Sequence, residues 1–429
     1  MNTSILDYGA VPGGEVVNTR AIQAAIDAVS SAGGGRVTVP AGVFVTGSLF
    51  LGDHVELHLE AGAVLKASTD LGDYNALDAY PENYGSDKEE WTGHHLIIAH
   101  HRTGVSVTGC GTVDGSGEAF FEEPHRCKSF NYTWGYGIAK AKNKETLRPG
   151  QLMVFVECEN VLLTDFSIVD SPCWCVFLYG CERVRVRGLS IQNEPTHANT
   201  DGIDIDTCRF VTVSDCIITT GDDAITVRAT AARLLSGKTV CEHVKISDCV
   251  LSTSAVAVRV GVGTGEIRNV NISGLTVARA GTVIEFITSY KKRGGVSISR
   301  VLAENIRADQ VSFPVRFFQE NGAFIRDVTV RGLSARAMCS SHFVAEEKGM
   351  ISHITLDNLS VEMMDSLYVL DERAPDEKGW YALWGKGAEH VTLSGVRFRI
   401  PESLASEWKG LASLEGCEDV TVTDSDFTL

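Results

Sequence analysis

Proline is scarce in this chain, 10 residues in 429 against 42 glycines, a balance that suits many tight turns. Positive charge is also short: 38 lysines and arginines face 55 aspartates and glutamates, a formal net charge of −17. That deficit removes the basic patch on which nucleic-acid binding depends, so no nucleic acid is expected as a partner. Acidity alone describes a soluble chain kept apart by like charge. No apolar run approaches the roughly 18–20 residues that span a bilayer, so no membrane partner is expected either. The chain opens Met1-Asn2-Thr3-Ser4-Ile5-Leu6-Asp7-Tyr8, without the basic, apolar and cleavage regions of a signal peptide. Cys-x-x-Cys is missing, which argues against a zinc site built on the twelve cysteines.

The cysteines instead mark a repeat. Cys158, Cys181, Cys208, Cys241 and Cys417 each open the phrase Cys-x-x-Val. Recurrence at one position implies thiols stacked in a core, where free cysteine behaves as a small hydrophobe. Reduced thiols and the missing leader together point to the cytoplasm. The longer unit reads VLLTDFSI from Val161, VRVRGLSI from Val184, VTVSDCII from Val211 and VKISDCVL from Val244, at intervals of 23, 27 and 33 residues. Weaker copies continue to VTVTDSDF near the end. Short alternating strands at this period, with almost no helical pattern between them, predict an all-β fold, a single-stranded right-handed parallel β-helix. Asn-Gly hairpin turns, which an antiparallel sandwich would need at regular places, are scarce.

One helix is expected, capped by Asn18 or Thr19, running through Ala21, Ile22, Ala25, Ile26 and Val29, and ended by Gly33-Gly34-Gly35. It would cover the open N-terminal end of the solenoid. A single domain over 1–429 is read, with the cap and first coils in 1–68, catalytic coils in 150–310, and C-terminal coils with a loop in 311–429. Residues 118–150 and 371–390 break the rhythm; the second stretch carries Trp380, Tyr381 and Trp384. Long loops on a solenoid gather on one face and often line the binding cleft.

Chemistry is concentrated in two acidic motifs, Asn199-Thr200-Asp201-Gly202 and Gly221-Asp222-Asp223. Asp201 and Asp222 are 21 residues apart, about one coil, so stacking can bring their carboxylates to one face. Crowded carboxylates repel, which keeps one protonated near neutral pH while its neighbours stay ionised. A protonated acid beside a basic carboxylate is what glycosidic cleavage requires. Either motif alone is as good a turn former as a catalyst. Asp204 and Asp206 alternate with Ile203 and Ile205 and are expected to face outward, Asp204 within reach of a sugar and Asp206 on a solvated face. His94 with His95, and His100 with His101, are chain neighbours; on strands each pair points to opposite faces, so no metal site and no cofactor are expected.

The sequence resembles the polygalacturonase-like family 28 glycoside hydrolases, which degrade pectin. DYGAVPGG near the start, VTGCGTVDGSG from Val107, LRPGQLMVFVECENV from Leu147 and SPCWCVFLYGCERVRVRGLSI from Ser171 carry the likeness, in the family's order. NTDGIDIDTC and TGDDAITV complete it. The resemblance implies that Asp222 is the general acid and that Asp201 and Asp223 activate the attacking water, with inversion. It also brings out two departures. The family's Gly-His-Gly is replaced by Ser254-Ala255-Val256-Ala257, with Val256 about where the histidine would be. Its substrate-gripping Arg-Ile-Lys is replaced by Thr282-Val283-Ile284-Glu285-Phe286. Glu285 is expected to repel an anionic sugar. Arg259, or the run Lys291-Lys292-Arg293, could stand in for the lost cations; equally, Arg259 could be a surface pair with Glu285 or Asp223, and the run a solvated turn. Trp174 is expected as a buried turn residue, and Trp380, Tyr381 and Trp384 as stacking or interface residues.

The expected function is an inverting glycoside hydrolase, exo-acting on short pectin-type oligosaccharides, with Asp204, Arg259, Glu285 and Lys291 as candidate substrate contacts. Plain polygalacturonate is not the expected substrate. A β-helix lyase and a non-enzymatic glycan binder are the alternatives. Nothing in the sequence speaks to oligomeric state.

Overall fold

The computed structural model describes residues 1–126, 137–138, 142, 147–230, 232–290, 294–339, 341–364, 380–402 and 408–426. The described residues fall into two compact units, one within Met1–His125, Gly137–Asp222 and Arg233–Lys238, the other within Asp223–Ala232 and Thr239–Leu429. Each is built from coils of a right-handed parallel β-helix. No helix among the described residues is long and apolar enough to cross a membrane.

In the first unit the repeat becomes three ladders of parallel strands. Ile97–His100, Met153–Val156, Val176–Tyr179 and Ile203–Asp206 stack as one. The Cys-x-x-Val phrase lies at the start of the second, where Val161, Val184 and Val211 fall in one register column and Leu163, Val186 and Val213 in the next. Ile168, Ile191 and Ile218 align in the third. All nine of these apolar residues are buried, as a shared inward face of stacked strands requires.

Two corners of each coil explain the repeat's polar letters. The second variable residue of Cys-x-x-Val is left-handed in every copy, at Asn160, Arg183 and Phe210 here and at His243 and Asp419 in the second unit. The Asp or Gly that follows each Val-x-Val-x strand is left-handed too, at Asp165, Gly188 and Asp215, then Asp248 and Gly274. Asp and Gly are the residues that tolerate this conformation at least cost.

The cysteines behave as expected. Cys158, Cys181 and Cys208 are buried in the first unit, with the Cys181 N–H donating to Cys208 Sγ at 3.2 Å. Burial pushes the Cys181 thiol well above the ordinary range. No disulfide occurs among the described cysteines. Cys417 is only half-buried, so the ladder loosens there, and Cys127 lies outside the described residues.

The helix spans Thr19–Ser31 and buries Ile22, Ala25, Ile26 and Val29. Asn18 occupies the capping position, yet its side chain does not cap; it bonds the backbone of Val11 and Val16 and folds the preceding loop.

The second unit carries longer strands, Glu266–Ile287, Ser297–Gln319 and Ile325–Ala337. Ile267, Ile298 and Ile325 share a column, as do Val270, Val301 and Val328. Phe286, Phe317 and Phe343 stack face to face at centroid separations of 4.7 and 4.9 Å. Trp380–Lys386 is a strand, which puts the later part of the 371–390 stretch inside the coil rhythm. Residues 371–379 lie outside the described residues.

Candidate active site

In the first unit the Asn199–Gly202 motif is a tightly bonded turn leading into Ile203–Asp206. Asn199 is left-handed, and its N–H donates to Asp222 Oδ2 at 3.3 Å. Thr200 Oγ1 donates to the His197 carbonyl and accepts from the Gly221 N–H. Gly221 is required by close approach, since a Cβ there would sit 2.2 Å from the His197 oxygen. Carboxylate oxygens of Asp201 and Asp222 come within 4.8 Å. Asp201 is buried and Asp222 half-buried, so the pair is partly withdrawn from water.

Behind this pair stands Arg148, which sequence reasoning passed over as one letter of a matched phrase. Its side chain is buried; it donates to the carbonyls of Pro172, Glu89 and Ala198 and to Asn199 Oδ1. One guanidinium thereby ties three chain segments to the turn that carries Asp201. Phe121 lies under it at 5.0 Å and stacks on His197 at 3.9 Å, so the described start of the 118–150 stretch borders the site. Burial pushes His197 down to about 4, leaving it neutral. The sequence signal for Arg148 was its place in the break between coils, where an arginine needs a reason to be buried.

Asp204 and Asp206 leave the inward face as expected, but neither is solvated. Both are buried, aligned in register with Phe177 and Tyr179. The expectation of a solvated Asp206 fails because the strand's outer face is covered. Tyr80 and Trp91, from the segment before Ile97, pack with Ile98, Val154, Trp174, Phe177, Tyr179 and Leu234. Trp174 is accordingly a buried residue, 5.3 Å from Phe177 in an edge-on contact.

In the second unit Asp223 is gripped by Arg259. Arg259 Nε lies 2.6 Å from Asp223 Oδ2, Nη2 donates to Oδ1 at 3.1 Å, and the Val256 N–H donates to the same Oδ1 at 3.1 Å. Val256, where the resemblance expected a histidine, thus contributes its backbone. Arg259 also approaches Glu285 at 3.5 Å, and Arg316 approaches Glu285 at 3.6 Å. Asp223, Glu285 and Arg316 are buried, the Arg259 side chain is 11% exposed, and the four alternate in charge. The surface-pair reading of Arg259 is therefore corrected: the pair exists but is internal. The repulsive reading of Glu285 is corrected too, because two guanidinium groups offset its charge. Burial, and then the Arg316 charge, hold His342 well below the ordinary histidine range. Trp384 is half-buried and meets the His342 ring edge-on at 6.0 Å; the Trp380 side chain and Lys291, Lys292 and Arg293 lie outside the described residues.

The histidine pairs divide. His94 Nδ1 lies 2.8 Å from Thr92 Oγ1, whereas His95 Nδ1 lies 2.7 Å from the Gln151 carbonyl. His100 and His101, however, converge, and the expectation that they point to opposite faces is wrong. His101 is left-handed with φ of 52°, just past the strand end, which swings its ring to within 4.2 Å of the His100 ring.

The family model for glycosyl hydrolases family 28 matches residues 33–334. The chain belongs to that family. A probable polygalacturonase of Vitis vinifera is 31% identical over 234 residues, 53% of this chain and 44% of that protein. An exo-poly-alpha-D-galacturonosidase of Dickeya chrysanthemi is 28% identical over 255 residues, 53% of this chain and 42% of that protein. The chain thus spans less than half the length of these curated relatives. Among solved structures, the family 28 exopolygalacturonase of Yersinia enterocolitica aligns with TM-score 0.70 and 19% identity, over 98% of this chain and 78% of that one, a likeness of fold. The matched region includes Asp201, Asp222 and Asp223.

Proposed function

We propose that this family 28 member is an inverting, exo-acting glycoside hydrolase of pectin-derived oligosaccharides. The observation that carries the hydrolase reading is the Asp201–Asp222 pair, oxygens within 4.8 Å, inside the family's matched region; inversion follows from the family resemblance, since this spacing is shorter than the roughly 6.5–9.5 Å usual for inverting pairs. Asp222, the more exposed of the two, protonates the leaving oxygen, and Asp201 draws the proton from the attacking water. Asp223, the next residue along the chain, is oriented by its ion pair with Arg259 and the hydrogen bond from Arg259 Nη2. Arg259 is then a positioning residue, and its charge is committed to carboxylates of the protein.

That commitment supports a substrate other than plain polygalacturonate. Arg259 and Arg316 both face Glu285, so neither is a spare cation for a galacturonate carboxylate. Exo action is supported by the apolar cover in the first unit. It fills the outer face of the coils preceding Asp201 with side chains, where an endo-acting enzyme needs an open groove for further sugars.

A panel of pectin-derived oligosaccharides, followed by proton NMR, tests the reading. The expected result is a new reducing end of inverted anomeric configuration, without a new ultraviolet-absorbing double bond. Retention of configuration, or an unsaturated product, would overturn it.

A further inference from the structure

Two histidines and two glutamates in the first unit, absent from the chemistry above, gather at one point. Glu82 comes from the segment that covers the outer face, His100 and His101 from the end of strand Ile97–His100, and Glu157 from the turn after Met153–Val156. Glu82 Oε2 lies 2.9 Å from His100 Nε2, and Glu82 Oε1 lies 3.0 Å from His101 Nε2. Glu157 Oε2 is 3.3 Å from the same His101 nitrogen. That oxygen is buried and makes no hydrogen bond, while Oε1 accepts from the Ser236 N–H.

Charge and distance both call for a cation. The Glu82 and Glu157 side chains are 0% and 3% exposed. Two carboxylates withdrawn from water cost several kcal/mol each unless compensated. Donor atoms of Glu82, His100 and His101 all lie within 4.8 Å of one another. Ligands on a tetrahedral zinc ion, with bonds of about 2.0–2.2 Å, sit about 3.3 Å apart, close to the spacings here. The imidazoles, 26% and 42% exposed, leave a path for entry.

We propose that Glu82, His100, His101 and Glu157 bind one divalent transition-metal ion of the zinc class. Imidazole with carboxylate suits zinc rather than calcium or magnesium, which prefer all-oxygen sites. The ion staples the covering segment that carries Tyr80 and Trp91 to two neighbouring coils, and so holds the apolar cover in place. The site is independent of the glycosidase reading.

The test uses the full chain, stripped with a chelator and titrated with Co²⁺ or Zn²⁺ alone. Expected are one ion per chain, the visible d–d bands of four-coordinate Co²⁺, and a rise in melting temperature with Zn²⁺. His101→Ala and Glu82→Gln should weaken binding by at least the 10–100-fold that loss of supporting contacts alone costs a metal site. Asp201→Asn, which alters the other carboxylate group, should leave it unchanged. Absence of those bands in the wild-type chain would overturn the proposal whatever the variants do. So would retention of full affinity in His101→Ala, or its loss in Asp201→Asn.

Discussion

Each charged side chain near the two motifs is defined by what neutralises it. Asp222 carries the proton in the reading above. Asp222→Asn should lower turnover by about 10²–10⁴-fold with folding intact, because an amide of the same shape cannot act as a general acid. Loss of less than tenfold in steady-state rate would remove it from that role. Arg259 stands differently, since it compensates buried Asp223 and, together with Arg316, buried Glu285. Arg259→Ala leaves those carboxylates short of charge and should destabilise the protein by about 3–5 kcal/mol, measured by urea denaturation. Arg259→Ala with Glu285→Gln should recover part of that loss. His342 gives a pH signature. Its folded value is depressed below the unfolded value of about 6.5, so the unfolded chain binds the extra proton and stability falls as pH drops. Between pH 7.5 and 5.5 the difference in stability between wild type and His342→Gln should shift by about 1.4 kcal/mol, against wild type at the lower pH.

Coils owe their shape to a short list of positions. Val, Ile and Leu columns fill the inside, and left-handed residues turn the corners, some of them Asp, Asn or Gly and others Arg183, Phe210 and His243. The columns were legible from one repeat, because alternation along a strand is a property of residue types; the left-handed corners were not, since Arg183 and Phe210 occupy two of them. The stacked phenylalanines of the second unit were not read as a stack, although each was visible in the sequence. Phe317, between two parallel rings, should cost about 3–5 kcal/mol when replaced by alanine, as read by calorimetry or denaturant midpoint. Thiol titration of denatured, unreduced protein should find all twelve cysteines free. Several disulfides would contradict the ladder.

For the molecule as a whole, the consequence is a product pattern. A closed outer face beside the acidic pair should release small products of constant size from the first time points. A broad ladder of intermediate oligomers would mean an open groove. Polygalacturonate should be a poor substrate compared with fragments whose cleaved sugar is neutral. Robust release of galacturonic acid would show that a cation reaches the sugar from elsewhere.

The sequence by itself determined the β-helix, its core columns, the capping helix and the two acidic motifs, because these rest on periodicity and on residues close along the chain. Tertiary structure decided the rest. Arg148 binds acceptors about 50 residues away, Glu285 is offset by arginines from neighbouring coils, and Asp206 lies under a cover drawn from another segment. None of these follows from alternation, which says which face a side chain leaves by and not what meets it there. The histidine pair makes the same point on the smallest scale. A strand would have parted His100 from His101, and a single left-handed φ at the strand's end brought them together.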